Sequence, residues 1–350
     1  MGTTIKDVAY EAGVSTATVS RVFAGYSTDP AELITFRPVA EKTRLRVITA
    51  AKQLGYRLNY AARGLKTQST MTVAVVLPEL SNDFFMDVAE GIEQELNKCG
   101  YTMLISSSLN SIEEEKKRVL MLADRMVDGM IVIPSGTRGE HLQALAVQGL
   151  PMLMVDRIVE GTNLDAVTSD NEGGTFLLTK ALLGDGFTRI TFVGGEITYS
   201  TARERLSGFS RALAEAEIKL DPALLCLGGM EIQDGYNHMK NLLERPEPPE
   251  AMVAVNLLVH LGMERCLLDM KAKYPVIAGF DEAWFSPFLS ACRYSAAQDA
   301  VGIGRCAGQR IIKKIRDKKS GNGSVTGYSE ERVIRLPVTV RRTEVQKMGL

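Results

Sequence analysis

The chain has 350 residues, of which 45% are hydrophobic and 24% are charged, and its formal net charge is −1. This composition is typical of a folded globular protein and excludes a fibrous or disordered chain, while the length predicts two or three domains. No apolar run approaches the roughly 18 residues of a membrane span, so we expect no membrane partner and a cytoplasmic location.

The cysteines and histidines show neither a metal site nor a disulfide framework. The five cysteines lie at least 14 residues apart, and the three histidines share no paired ligand spacing. We therefore expect reduced thiols, no metal and no cofactor.

Positive charge is concentrated at the N-terminus. Residues 1–70 hold ten basic and five acidic side chains, a net charge of +5, which leaves −6 for the remainder. A basic head on an acidic body indicates a nucleic-acid-binding module joined to a second unit. Charge alone leaves open a solvated basic surface without such a partner.

Two short helices separated by a tight turn are predicted at the start of the chain. The first begins at Ile5 behind a Thr4 cap, Gly13 breaks it, and Ser15 caps the second. This is the helix-turn-helix pattern, whose second helix enters the major groove of DNA, where Arg21 can pair with guanine. The residues expected to contact DNA are Thr4, Ser15, Thr16, Ala17, Thr18, Ser20 and Arg21. A third helix is predicted over 40–54, with Leu45, Ile48, Ala51 and Leu54 facing inward.

Short β-branched runs alternate with amphipathic segments from residue 71 onwards. Strands are predicted over 73–77, 102–106, 129–133, 152–155, 189–193, 251–255 and 276–279. Helices are predicted over 83–99, 112–125, 171–185, 203–216, 233–244, 257–270 and 300–318. The alternation predicts an α/β fold with parallel sheets between helices. Because the body is too long for one such sheet, we expect two Rossmann-like subdomains with a ligand cleft at the carboxyl ends of their strands.

The N-terminal motifs resemble a known family. Segment 4–9 reads Thr-Ile-Lys-Asp-Val-Ala, segment 12–15 reads Ala-Gly-Val-Ser, segment 18–22 reads Thr-Val-Ser-Arg-Val, and segment 54–59 reads Leu-Gly-Tyr-Arg-Leu-Asn. These segments look like the signature of the lactose and galactose repressor (LacI/GalR) family. The resemblance implies a homodimer on a pseudo-palindromic DNA operator, with Asn59, Ala62 and Leu65 of a hinge helix at the minor groove and Leu65 as a wedge.

The resemblance also implies the division of the chain. We expect a helix-turn-helix DNA-binding domain at 1–57 and a hinge helix with its linker at 58–70. A periplasmic-binding-protein-like core would follow, with one subdomain at 71–168 plus 299–326 and the other at 169–298 plus 327–343. The chain departs from the family in an insertion at about 25–38 and in Leu58, which replaces a hinge proline.

The same resemblance places effector-binding candidates around the cleft. They are Phe84, Phe85, Asp156, Arg205, Met230, Asn256, Asp281 and Gln298. Individually, these residues also have simpler interpretations: core packing for the phenylalanines, a turn for Asp156 and a solvated charge for Arg205. Leu257 removes an acid that is common in the family, which favours a phosphorylated or otherwise anionic sugar, while a neutral sugar stays open.

The resulting prediction is a sequence-specific transcription regulator, a repressor of carbohydrate-use genes that responds to a sugar or sugar phosphate. One alternative is a nicotinamide-dependent enzyme, but Gly302, Gly304 and Gly308 lack the GxGxxG spacing, and neither a GxSxG elbow nor a P-loop is present. The other is a sugar-binding transport protein, which the basic head disfavours. We therefore expect no enzymatic activity.

Overall fold

We describe a computed structural model of the chain over residues 3–24, 39–56, 69–272, 275–320 and 332–343. The N-terminal head, residues 3–56, contains the helices Ile5–Glu11 (α1), Thr16–Ala24 (α2) and Glu41–Gln53 (α3). The Asp7 carboxylate accepts hydrogen bonds from the Thr4 amide at 2.7 Å and the Thr4 hydroxyl at 2.8 Å, which fixes the start of α1. Ser15 Oγ accepts from the Thr18 amide at 3.2 Å at the start of α2.

The turn between α1 and α2 requires glycine. Gly13 has φ +58°, and a Cβ there would lie 2.8 Å from Arg46 Nη2 of α3. The Arg46 guanidinium donates to the Ala12 carbonyl oxygen. The turn is thereby tied to α3.

Three of the four third-helix residues predicted to face inward, Ile48, Ala51 and Leu54, pack in the core of the head, and the fourth does not. Val47, Ala50 and Ala51 are buried in the head, whereas Leu45, predicted to face inward, is 57% exposed. Two residues along a helix correspond to a rotation of about 200°, so the face that buries Val47 turns Leu45 to solvent.

The first core subdomain is a six-stranded parallel sheet. Its strands are Thr72–Leu77 (β1), Thr102–Ser107 (β2), Gly129–Val132 (β3), Met152–Val155 (β4), Ala166–Ser169 (β5) and Val333–Leu336 (β11), in the order β11-β5-β4-β3-β1-β2. Its helices are Asp83–Lys98 (α4), Ile112–Asp124 (α5), Glu140–Val147 (α6) and Ala300–Lys319 (α11). Strands β3 and β4 are buried throughout, as expected for strands covered on both faces.

The second core subdomain repeats this plan. Its strands are Ile190–Val193 (β6), Leu225–Cys226 (β7), Ala251–Ala254 (β8), Val276–Phe280 (β9), Cys292–Gln298 (β10) and Val338–Arg342 (β12), in the order β12-β10-β9-β8-β6-β7. Its helices are Asn171–Gly184 (α7), Ser200–Glu215 (α8), Ile232–Leu243 (α9) and Leu257–Asp269 (α10). Among the strands described for this sheet, only β12 runs antiparallel to its neighbour, β10.

The chain crosses between the subdomains three times. The first two crossings pass through Asp170 and Asp299, whose Oδ1 atoms accept from the amides of Gly173 at 2.9 Å and Gly302 at 2.8 Å. Each crossing segment is therefore fixed as the cap of the helix that follows.

The third crossing differs from the predicted boundary at 326/327. Strand β11 pairs with β5 in the first sheet, and the Ala166 amide donates to the Arg332 carbonyl oxygen at 2.8 Å. Without β11, the backbone groups along this edge of β5 would lack strand partners. The crossing consequently falls at Pro337, between β11 and β12.

The other predicted core strands and helices are confirmed, with ends displaced by at most three residues. Six elements were not predicted from the sequence: β5, β7, β10, β11, β12 and α6. These elements are short or, like β10 with its sequence Cys-Arg-Tyr-Ser-Ala-Ala-Gln, mix polar with apolar residues.

Helices α4 and α11 contact each other through glycine. A Cβ on Gly304 would lie 2.1 Å from the Val88 carbonyl oxygen, and one on Gly91 would lie 2.2 Å from the Val301 carbonyl oxygen. Only the absence of side chains at both positions lets the two backbones approach so closely. The amino-terminal ends of α4 and α11 are thereby held side by side.

Candidate functional site

The second helix of the head carries an exposed polar surface. Ser15, Thr16, Ala17, Ser20 and Arg21 are exposed, Thr18 is half-buried, and Thr4 is exposed beside the start of α1. Arg21 Nε donates to the Ala17 carbonyl oxygen at 3.3 Å, which aligns the side chain along the helix. Small residues followed by an exposed arginine suit a helix that approaches base edges in a major groove.

Three predicted DNA contacts, Asn59, Ala62 and Leu65, lie outside the described residues. The insertion at 25–38 lies outside them as well. The hinge contacts therefore stay predictions.

A cavity of about 610 Å³ lies between the two core subdomains. Its walls are the amino-terminal ends of α4, α10 and α11, together with the loop that follows β9. The lining residues are Ser81, Asn82, Asp83, Phe84, Met86, Asp87, Asn256, Leu257, Leu258, Leu261, Asp281, Glu282, Ala283, Trp284, Phe285, Gln298 and Ala300. This volume is in the range of small-molecule sites.

Four of the predicted effector residues, Phe84, Asn256, Asp281 and Gln298, line the cavity. Asp281 Oδ2 accepts from the Leu257 amide at 3.2 Å, and Asp281 Oδ1 accepts from Gln298 Nε2. Gln298 Oε1 accepts in turn from the hydroxyl of Ser169, at the end of β5. The polar floor of the cavity thus joins strand ends of both subdomains.

Arg205 does not line the cavity. The alternative interpretation of Arg205 as a solvated surface charge is wrong. The residue is 4% exposed. Its Nε donates to Asn171 Oδ1 at 2.9 Å and its Nη1 donates to the Val255 carbonyl oxygen at 2.7 Å. Burial lowers the pKa of this guanidinium, while the charge of Asp281 acts in the opposite direction. Arg205 therefore contacts the backbone next to the lining residue Asn256 and is not itself part of the lining.

Asp156 is also outside the cavity lining. It is 7% exposed and has a left-handed backbone with φ +63° at the end of β4. Burial raises the pKa of its carboxyl, although the Arg157 and Arg205 charges oppose this shift. Its position fits the turn that the sequence left as an alternative.

Phe85 and Met230 take supporting positions as well. Phe85 is 4% exposed and belongs to the core of the first subdomain. The Met230 carbonyl oxygen accepts from Asn256 Nδ2 at 3.0 Å, and Asn256 Oδ1 accepts from the Val259 amide at 2.9 Å. Asn256 therefore caps α10 and orients the cavity wall.

The loop after β9 supplies cavity residues that the sequence analysis missed. Trp284 is 81% exposed, and its ring centre lies 5.5 Å from that of Phe285 in an edge-to-face arrangement. Glu282 Oε2 forms an ion pair with Arg341 at 2.6 Å. The run Asp-Glu-Ala-Trp-Phe directly after a buried strand was the available signal.

The lining of the cavity is acidic. The carboxylates are those of Asp83, Asp87, Asp281 and Glu282, of which Glu282 is paired with Arg341, and the lining residues given above include neither lysine nor arginine. Burial, with the charges of Asp83 and Glu90, raises the pKa of the Asp87 carboxyl. The cavity therefore favours groups that donate hydrogen bonds over anions.

Contacts also join the subdomains beside this cavity. The Tyr199 hydroxyl donates to the Ser135 carbonyl oxygen at 3.2 Å, and the Arg157 guanidinium lies 4.3 Å from the centre of the Tyr199 ring. The Ile158 amide donates to Ser200 Oγ at 2.9 Å. These contacts link the two subdomains at this edge of the cleft.

Within the described ranges, no group of three or more His, Cys, Asp or Glu side chains is arranged to hold a metal ion. The same described residues contain no helix with the length and apolar character needed to cross a membrane.

Comparisons with known proteins agree with this two-part architecture. Residues 4–59 match the bacterial regulatory proteins of the lacI family, and residues 70–276 match the periplasmic binding proteins and sugar binding domain of the LacI family. The chain is 32% identical over 323 residues to the HTH-type transcriptional regulator RegA of Clostridium saccharobutylicum, covering 91% of this chain and 94% of that protein.

Two further similarities extend over nearly the whole chain. It is 31% identical over 322 residues to the HTH-type transcriptional repressor PurR of Haemophilus influenzae strain PittEE, covering 91% of this chain and 93% of that protein. The solved Lac repressor bound to ONPG matches with a TM-score of 0.81 and 23% identity, covering 98% of this chain and 99% of that one. The likeness to the Lac repressor shows the shared fold.

A helix-turn-helix head on a two-subdomain core defines a DNA-binding transcriptional regulator. The chain belongs to the lacI family of bacterial regulatory proteins. This is a family of transcriptional regulators and not of enzymes. Its repressors bind operator DNA and act as dimers.

Proposed function

We propose that this protein represses genes of carbohydrate use as a homodimer, and that an uncharged sugar in the cavity controls its binding to the operator. The proposed ligand class rests on the acidic and aromatic lining of the cavity. The match of residues 70–276 to the sugar binding domain of the family supports the ligand class.

The chemistry of the lining favours a neutral polyol. Carboxylates and the carboxamides of Asn82, Asn256 and Gln298 accept hydrogen bonds from sugar hydroxyls. Phe84 and Trp284 offer rings on which the apolar face of a sugar can pack. Both kinds of contact are available in the same cavity.

A phosphorylated sugar suits this lining poorly. A phosphate group would lie near carboxylates such as Asp83 and Asp87 without an opposing lining cation, which raises its free energy on transfer from water. The preference for an anionic sugar rested on the acid missing at Leu257, but other acids replace it. The neutral sugar is therefore the better candidate.

Both subdomains contribute residues to the cavity, so ligand binding can affect how the subdomains are arranged relative to each other. Asn82 and Phe84 come from the first subdomain, whereas Asn256 and Asp281 come from the second. A ligand that contacts both pairs favours one relative arrangement of the two subdomains over another. The size of this shift is set by the difference in the ligand's affinity for the two arrangements. In a homodimer, that change alters the spacing of the two linkers and lowers operator affinity.

A thermal-shift screen followed by calorimetric titration tests the proposal. We expect a free sugar to raise Tm and its phosphate ester, at the same concentration, to raise it much less. Asp281→Asn should weaken sugar binding by about 1 to 3 kcal/mol, whereas Glu93→Gln, an exposed change on α4, should not alter it. Tighter binding of the phosphate ester would contradict the proposed ligand class.

A further inference from the structure

A buried carboxylate holds the point where the chain enters the core. Asp128 Oδ1 accepts from the Thr70 amide at 2.7 Å, and Asp128 Oδ2 accepts from Ser69 Oγ. The Thr70 hydroxyl lies 3.1 Å from Asp128 Oδ1 and 3.0 Å from the Met126 carbonyl oxygen, and it can donate to either. The Asp128 side chain is 4% exposed. Ser69 and Thr70 are the first described residues after the segment that joins the head to the core.

The last residue of α11 completes this arrangement. Lys319 Nζ donates to Ser69 Oγ at 3.1 Å and to the Tyr101 hydroxyl at 3.2 Å, and it lies 3.7 Å from Asp128 Oδ2. We call Ser69, Thr70, Asp128 and Lys319 the linker clamp. The clamp ties the incoming chain to β3, which follows Asp128, and to α11.

Helix α11 connects the clamp with the cavity. Its first residue, Ala300, lines the cavity, and its last residue, Lys319, belongs to the clamp. Twenty helical residues span about 30 Å, and the helix packs closely against α4 at Gly304. One continuous helix therefore reaches both the ligand cavity and the linker clamp.

We propose that the linker clamp is a positioning element for operator binding, because it fixes where the linker of each subunit leaves the core. Two heads must contact two half-sites at a set spacing. Freeing Ser69 and Thr70 lengthens each tether and loosens its direction, so the effective concentration of the second head at its half-site falls. The inference requires a dimer that binds DNA, but it does not depend on which ligand fills the cavity.

The test compares Asp128→Ala and Lys319→Met with Lys318→Met in the full-length protein. Lys318 is an exposed neighbour on the same helix, so its variant removes the same charge outside the clamp. Two probes are used: the duplex that the wild-type protein selects from a random pool, and an unselected duplex of equal length. Thr70 amide exchange and Tm are measured on the same samples.

We expect both clamp variants to bind the selected duplex at least about fivefold more weakly, with Thr70 exchange at least about tenfold faster. Affinity for the unselected duplex should stay within about twofold of that of Lys318→Met, because phosphate contacts are unchanged. If Asp128→Ala fails to fold, Lys319→Met and Asp128→Asn, which keeps an acceptor, carry the test. Unchanged affinity for the selected duplex would overturn the proposal. Equal weakening on both duplexes with a large fall in Tm would assign the clamp to core stability instead and would also overturn it.

Discussion

The guanidinium carbon of Arg205 lies 3.7 Å from the centre of the Phe280 ring. Phe280 ends β9, and Asp281 follows it with a left-handed backbone at φ +76° on the cavity wall. Arg205 also donates to the Val255 carbonyl oxygen, one residue before Asn256. A single buried cation therefore supports two neighbouring segments of the cavity, which makes Arg205 a positioning residue.

Replacing Arg205 should lower the stability of the folded protein. Arg205→Ala removes a buried cation near Asp156 and Asp281, so we expect the free energy of unfolding to fall by about 3 to 5 kcal/mol. Arg203→Ala, an exposed change on the same helix, should cost less than about 1 kcal/mol. Urea unfolding measures both, and similar small losses would show that Arg205 does not support the core.

The contact between α4 and α11 predicts a pair of glycine variants with opposite effects. Gly304→Ala places a methyl group against the Val88 carbonyl oxygen and should destabilise the protein by about 1 to 3 kcal/mol. A Cβ added at Gly184, at the end of α7, meets no atom within 4 Å. Gly184→Ala should therefore leave the stability unchanged or raise it by up to about 1 kcal/mol. Thermal unfolding distinguishes the two, and equal shifts would contradict the close helix contact.

Asp156 predicts a pH dependence of stability. Burial raises the pKa of its carboxyl above the ordinary 3.8, so the folded protein binds this proton more tightly than the unfolded chain does. Its contribution to stability is complete below the ordinary pKa and is lost as the pH rises through the folded-state value. Asp156→Asn cannot titrate, so its stability relative to wild type should rise as the pH increases from the ordinary pKa of 3.8 through the folded-state value.

Urea unfolding over this pH range checks the prediction. Asp124→Asn, an exposed change at the end of α5, corrects for the loss of a carboxyl group elsewhere. A constant difference between Asp156→Asn and wild type across the range would show that the Asp156 pKa is not raised.

The sequence predicted the parts of the fold that depend on hydrophobic pattern. Met152–Val155 is a continuous apolar run that ends before Asp156, and Leu257–Asp269 is mostly apolar and begins after the Asn256 cap, so their type was correct and their ends agreed within one residue. Strand β11 was missed because only partners distant in sequence determine its position. Its residues pair with β5, 167 positions earlier along the chain. The third crossing was misplaced for the same reason.

The candidate cavity was predicted in part. Asp281 and Asn256 directly follow strands or begin helices, so strand topology places them at the cleft. The burial of Arg205 depends on packing against Phe280 and Val255, which linear sequence does not encode locally. The same holds for Trp284, whose position depends on the path of the loop after β9.

The head predicts a specific loss of DNA recognition. Arg21→Ala removes an exposed guanidinium from α2 and should weaken binding to the selected duplex by about 1 to 3 kcal/mol, with a much smaller effect on an unselected duplex. Electrophoretic mobility shift titrations at one fixed salt concentration measure both. Equal losses on the two duplexes would show that Arg21 contacts phosphate and reads no base.

Ligand control of operator binding is tested most directly by the anisotropy of a labelled operator duplex during titration with the sugar that best stabilises the protein. We predict that wild type releases the duplex as the sugar binds, and that Asp281→Asn binds the duplex equally well without sugar. Because Asp281 lies on the cavity wall, the sugar concentration that releases half of the duplex should be at least about tenfold higher for the variant than for wild type. Release at the same sugar concentration in both proteins, or no release of the wild type by any sugar that stabilises it, would contradict control through this cavity.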